Sequence, residues 1–235
     1  MKNKGVLPFL LIVGGIIAGG LFLIFSRFPM MPESASIEAV YVDGAWSGLL
    51  WVESVIYALV MAFIFYCLLA FRAKNRSEQG DRFDRSRGRL AEALWIGLST
   101  MLTLGMAALG SHELRAVIGK PEADIDVEVR GEQFSWEFYY PKVGNYASKL
   151  YMEKGKRHRI ILTSKDVVHS FWVPEFRLKQ DAVPGKVIHL LLTPTRVGEY
   201  ALLCAELCGQ DHTDMTSKVS VLEHEAFEAA LNTEL

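Results

Sequence analysis

Three stretches of this chain, residues 6–25, 49–71 and 93–110, are each nearly free of charged side chains, and they narrow the possible folds more than any other feature. A bilayer core of about 30 Å calls for about 20 helical residues at about 1.5 Å each. Runs of this length read as membrane helices. Helices buried in a soluble core are usually shorter, and the rest of a 235-residue chain cannot enclose three of them. The hydrophobic fraction of 51% is correspondingly high for a purely soluble protein.

Lys2 and Lys4 precede the first run, an arrangement shared with secretory signal peptides. The run exceeds the usual h-region of about 7–15 residues, so the expectation is a retained N-terminal membrane helix within residues 1–28. The pairs Gly14-Gly15 and Gly19-Gly20 inside it read as helix-packing positions. Between the second and third runs stand Arg72, Lys74, Arg76, Arg82, Arg85, Arg87 and Arg89, whereas the stretch 27–46 has one basic residue. By the positive-inside rule the loop 72–91 is cytoplasmic. Residues 47–110 are then a transmembrane helical hairpin, and the segment after Gly110 lies on the outer face of a bacterial-type inner membrane.

From Ser111 the pattern changes to short alternating segments. "DIDVEVR" places Ile125, Val127 and Val129 on one face; "HRIILTS", "KVIHLLLT" and "SKVSVL" follow, separated by Pro141, Pro174, "VPG" and "RVGE". Such spacing predicts an antiparallel β-sandwich or barrel over 111–235, ending in an amphipathic helix, "EHEAFEAALNTEL". This part has 15 Lys and Arg against 19 Asp and Glu, a net of −4. The balance argues against nucleic acid and fits a basic protein partner.

The chemistry concentrates in "LCAELCGQDHTDM", residues 203–215. Cys67, in the second membrane run, reads as a small buried apolar residue. Cys204 and Cys208 could form a disulfide on an oxidising face, although closing so short a loop stabilises little. Cys208 is followed by His212 and Met215, and thiolate, thioether and imidazole together select copper. A further imidazole is required. His169, in "DVVHSFWVP", stands on a loop after a strand, whereas His189 lies within an alternating strand, and His112, His158 and His224 carry no supporting pattern. With one copper, Cys204 is a thiolate too many. Two bridging thiolates instead give a dinuclear copper core with little change of geometry on reduction. His169, Cys204, Cys208, His212 and Met215 make five ligands, and the backbone carbonyl of Glu206 can supply a sixth. Zinc competes as a Cys2His2 set, but leaves Met215 unused and lacks the usual spacing. A thiol-based copper chaperone carries Cys-x3-Cys on a mixed fold that this pattern does not support.

Three segments closely resemble subunit II of haem-copper cytochrome c oxidases, which houses the binuclear copper centre called CuA. They are "DVVHSFWVPEFRLKQDAVPG" (166–185), "CAELCGQDHTDM" (204–215) and the weaker "RGEQFSWEFYYP" (130–141). With the membrane hairpin, the resemblance covers nearly the whole chain after Trp46. It implies a cupredoxin-like Greek-key β-sandwich on an α-helical membrane anchor, with His169, Cys204, Glu206, Cys208, His212 and Met215 as ligands of two copper ions. It implies an electron-accepting subunit of an oxidoreductase and proton translocase. Electrons would pass from cytochrome c to a haem in subunit I, which reduces oxygen to water, so this chain holds no catalytic residue of its own. It also implies a magnesium ion shared with subunit I through the Glu206 carboxylate, and a role for Glu92 at the entrance of a proton pathway. The family's aromatic segment generally reads Gln-Trp-x-Trp, and its first tryptophan receives the electron. Here Phe134 stands in that position, leaving Trp136 or a different docking geometry to compensate. Asp181, Glu206, Asp211 and Asp214 flank the copper segments and offer negative charge to a basic donor. Quinol-oxidase relatives lack the copper ligands, nitrous oxide reductase is soluble and longer, and no Cys-x-x-Cys-His haem motif is present here.

Overall fold

A computed structural model describes residues 5–72, 85–119 and 122–233, with side chains from residue 88 onward in the third helix. The chain divides into two compact units, Met1–Met30 with Gly44–His112 and Met31–Asp43 with Glu113–Leu235.

The apolar runs are helices: α1 (Val6–Arg27), α2 (Ile37–Ala70) and α3 (Arg85–Ile118). All three are long and apolar enough to cross a membrane. At 34 residues each, α2 and α3 are about 51 Å long, so they outrun their apolar stretches. The helical start of α3 takes in Arg85, Arg87 and Arg89, while Lys74, Arg76 and Arg82 of the basic loop lie outside the described residues. α1 packs on α2 through a Phe22–Trp51 stack with centroids 4.6 Å apart and a Phe9–Tyr66 contact at 5.7 Å. Of the four glycines read as packing positions, Gly14 has Ala58 and Ala62 within 4 Å of where a Cβ would stand. A Cβ at Gly15, Gly19 or Gly20 would meet nothing within 4 Å among the described residues.

The second unit is a sandwich of two five-stranded sheets. One runs in the order β3 (Asn145–Ala147), β2 (Ser135–Tyr140), β1 (Ile125–Glu132), β5 (His158–Ser164), β8 (Ile188–Leu192). The other runs β4 (Leu150–Glu153), β10 (Thr216–Leu222), β9 (Gly198–Cys204), β6 (His169–Val173), β7 (Leu178–Ala182). Alternation drives the layering. Val127 and Val129 of β1, and Trp136, Phe138 and Tyr140 of β2, face inward onto Phe171, Leu202, Val219 and Val221 of the opposite sheet. The terminal helix α4 (His224–Thr233) buries Phe227 and Leu231.

The sheets are not purely antiparallel, as period-two patterning suggested. β1 pairs with β5, and β4 with β10, in parallel. The chain changes sheets after β3, and that crossing brings strands distant in sequence alongside one another in the same direction. The result is a two-sheet β-sandwich, in a chain that also carries three long apolar helices, as the resemblance implied.

Residues 31–43, which precede the main apolar part of α2, are built into this sandwich. Ala35 N–H donates to the Glu175 carbonyl (2.9 Å), Thr195 N–H to the Ala35 carbonyl (2.8 Å) and Ile37 N–H to the Thr193 carbonyl (3.0 Å). The Ser36 hydroxyl accepts the Ala39 N–H at 3.0 Å, the bond of an N-cap. Glu38, buried, accepts the Thr193 N–H at 3.0 Å. Arg177, in the left-handed region at φ 59°, extends its guanidinium to Asp43 at 2.7 Å.

Candidate metal centre

Three strands and the loops between them bring the donor groups together. His169 opens β6 and is fully buried. β6 lies antiparallel to β9, with Phe171 opposite Cys204, the last residue of β9. Residues 205–211 then loop out, a 3-10 turn spans His212–Asp214, and β10 returns beside β9. Two backbone bonds close the loop, Cys204 N–H to the Met215 carbonyl (3.1 Å) and Ala205 N–H to the Ser170 carbonyl (2.9 Å).

The convergence covers all six groups named from the sequence. His169, Cys204 and Cys208 place ligand atoms within 4.8 Å of one another. The Cys204 sulfur lies 3.9 Å from His169 Nδ1, 3.9 Å from the Cys208 sulfur and 3.3 Å from the Glu206 carbonyl oxygen. The Cys208 sulfur lies 3.5 Å from His212 Nδ1 and 3.7 Å from the Met215 sulfur. Each thiol thus has one imidazole beside it, with the carbonyl on one side and the thioether on the other. The cysteines are unpaired.

Electrostatics fit a soft cation. Burial, and then the neighbouring Cys204, pushes the Cys208 thiol up to about 11. Such a thiol is a poor free nucleophile and ionises readily only when a cation compensates it. A site of two thiols, two imidazoles, a buried thioether and a carbonyl suits copper better than zinc, for which Met215 has no use.

Two residues missed in the sequence hold this geometry. Asp166 accepts the His169 Nε2–H at 2.8 Å and the backbone N–H groups of Gln133 (2.7 Å) and Val167 (2.6 Å). Partial burial pushes its carboxyl up, but these bonds outweigh that effect and hold it at about 2. Gln133 in turn donates its side-chain amide to the Cys208 carbonyl at 2.5 Å. The Asp-x2-His spacing was the available signal for the first; nothing local marked the second. Two glycines admit the close approach. A Cβ on Gly131 would meet the His169 ring at 2.7 Å, and one on Gly209 (φ 147°) would meet Gln133 at 2.7 Å and the Phe134 ring at 2.9 Å.

Phe134 is half-buried over Gly209. Trp136, deeper, sits edge-on to His169 with centroids 6.0 Å apart, and its buried indole N–H has no acceptor among the described residues. Glu206, Asp211 and Asp214 are exposed near the donors, whereas Asp181 accepts the Ser170 hydroxyl at 2.8 Å. Glu92 is exposed on α3. His189, His112 and His224 are on the surface, and His158 is buried elsewhere in the sandwich.

The chain is similar in sequence to several cytochrome c oxidase subunits. Residues 146–222 match the family model "Cytochrome C oxidase subunit II, periplasmic domain". Cytochrome c oxidase subunit 2 of Thermostichus vulcanus is 29% identical over 85% of this chain and 76% of its own length. The alternative cytochrome c oxidase subunit 2 of Bradyrhizobium diazoefficiens is 28% identical over 86% and 82%. The crystal structure of the periplasmic domain of subunit II of cytochrome oxidase from Bradyrhizobium japonicum superposes with a TM-score of 0.46 at 27% identity, covering 48% of this chain and 95% of that one. With the family model on its β-domain and these relatives aligned along most of its length, the chain is similar to subunit II of cytochrome c oxidases.

Proposed function

We propose that this chain is the electron-accepting subunit of a haem-copper oxidase. It would hold two copper ions on His169, Cys204, Glu206 carbonyl, Cys208, His212 and Met215. The supporting observation is the approach of two unpaired thiols to 3.9 Å of each other, each flanked by its own imidazole and its own weak donor. Two coppers held on these residues would supply a one-electron carrier of small reorganisation. The residues around it keep the site dry: Met215 and His169 are fully buried, and the cysteines nearly so. His169 and His212 present Nδ1 to the sulfurs, which leaves Nε2 of each for outer contacts.

In this reading cytochrome c docks near the ligand loops, where Glu206, Asp211 and Asp214 present negative charge. Phe134, or Trp136 beside His169, lies on the electron's way in. A haem of subunit I receives the electron, and oxygen is reduced to water there, coupled to proton pumping. The Glu206 carboxylate faces a shared magnesium ion, and Glu92 stands at a proton-pathway entrance. The helices anchor the chain in a bacterial inner membrane as a first helix (1–28) and a hairpin (47–110). Loop 72–91 is cytoplasmic and the β-domain (111–235) is periplasmic.

Metal analysis joined to electron paramagnetic resonance of the purified chain tests the reading. Two coppers per chain with a seven-line hyperfine pattern are expected. One zinc per chain, or a Cys204–Cys208 disulfide without metal, would overturn it.

A further inference from the structure

We infer that Asp166 and Gln133 are positioning residues of this centre, so that the single turn between β1 and β2 holds both ligand-bearing segments in place. The inference rests on the copper reading above.

Asp166 is the first arm. Its carboxylate accepts the imidazole Nε2–H of His169 and the backbone N–H groups of Gln133 and Val167, with the Ser164 hydroxyl 3.4 Å from Oδ1. The group cannot rotate away without losing at least one charge-assisted bond. A buried imidazole with a carboxylate on Nε2 carries its proton there, so the Nδ1 lone pair is left facing the Cys204 sulfur. Gln133 is the second arm. Its side chain must turn its NH2, not its oxygen, toward the Cys208 carbonyl. That bond reaches the middle of the 204–215 segment, next to Gly209, where a Cβ would collide with the same amide. One residue thus ties the His169 loop by its backbone and the Cys208 loop by its side chain.

Support is one-sided. His212 is half-exposed, and among the described residues no side chain bonds its Nε2. The two imidazoles are therefore unequal: His169 is a donor held in place by a carboxylate, and His212 depends on its own loop.

The test uses the full chain in detergent with 15N-labelled histidine. In the metal-free, reduced wild type, His169 is expected as the Nε2–H tautomer with a slowly exchanging ring proton. Asp166→Ala should mix the tautomers and speed that exchange at least tenfold. Asp166→Asn, which keeps the volume, should speed it as well and serves if the alanine variant does not fold. In Gln133→Glu an acceptor meets the Cys208 carbonyl. Copper affinity should fall at least tenfold there while the His169 tautomer stays as in wild type, since the backbone N–H remains. In the copper-loaded Asp166→Ala chain the reduced-to-oxidised ratio at a fixed electrode potential should rise at least tenfold, because a negative charge that favours the oxidised centre is gone. Glu132→Gln, which removes a neighbouring charge outside the two arms, should change it less than twofold. Unchanged tautomer and exchange in both Asp166 variants, or unchanged copper affinity in Gln133→Glu, would overturn the inference. A wild-type chain that takes up no copper would instead sink the proposed function, and the metal-free ring-proton measurement would still decide the Asp166 arm.

Discussion

The buried imidazole of His158 accepts the backbone N–H of Glu153 on Nε2 at 3.2 Å while its Nδ1 lies 2.9 Å from the Lys156 carbonyl. Only the neutral ring with its proton on Nδ1 satisfies both bonds. Burial lowers its pKa from 6.5 to about 4, against the smaller opposing pull of the Lys156 carbonyl. Above pH 6.5 the ring is neutral in folded and unfolded chains alike, and the β-domain keeps its full stability. Between pH 6.5 and about 4 the unfolded chain takes up a proton that the folded one refuses, so stability falls as pH falls. The loss amounts to about 3 kcal/mol. Denaturant unfolding from pH 7 to 4 should show this slope, and His158→Gln should remove most of it.

Cys204→Ser should convert a two-copper site to a one-copper site. His169, Cys208, His212 and Met215 remain, which is a sufficient set for mononuclear copper. Resonance should change from seven hyperfine lines to four, with copper content halved. A seven-line spectrum in this variant would rule out Cys204 as a bridge.

Met215→Leu should shift the reduction potential while copper content stays close to wild type. The thioether is a weak axial donor, and leucine fills the buried volume at a cost of less than about 1.5 kcal/mol. Complete loss of copper would exclude the axial role.

Gly131→Ala should disturb the centre without touching a donor. Its Cβ would stand 2.7 Å from the His169 ring, and either the ring or β1 must move. Overpacking of this kind costs about 1–3 kcal/mol, and copper affinity should drop at least tenfold. Gly144→Ala, where nothing lies within 4 Å of the new Cβ, should leave copper affinity unchanged.

Much of this was legible in the sequence because the signals are local. Apolar length marks α1, α2 and α3, alternation marks β1 and β2, and the run from Cys204 to Met215 keeps its donors within thirteen residues. His169 could be chosen among six histidines because the cluster needed one more imidazole. What stayed hidden depends on contacts across the fold. Gln133 and Asp166 are 33 residues apart, and Gln133 and Cys208 are 75 apart; no periodicity joins them. His158 looked featureless because its role lies in two backbone bonds and a Phe227 contact from α4. Parallel pairing of β1 with β5 leaves no mark either, since alternation reports faces and not strand direction.

The strap of residues 31–43 also sets an order of events during synthesis. Ser36 reaches the Phe176 carbonyl across 140 residues, and Glu38 reaches Thr193 across 155. At about 5–20 residues per second, roughly 10–30 seconds separate the emergence of Glu38 from that of its partner. For that interval the carboxylate of Glu38 has no Thr193 N–H to accept, and the seats of Ala35 and Ala39 do not yet exist. The sandwich is thus begun by a segment made before two membrane helices and finished only after β8 has appeared. A gene fragment starting at Ser111 would leave the Glu175 and Thr193 carbonyls and the Thr195 N–H without their partners.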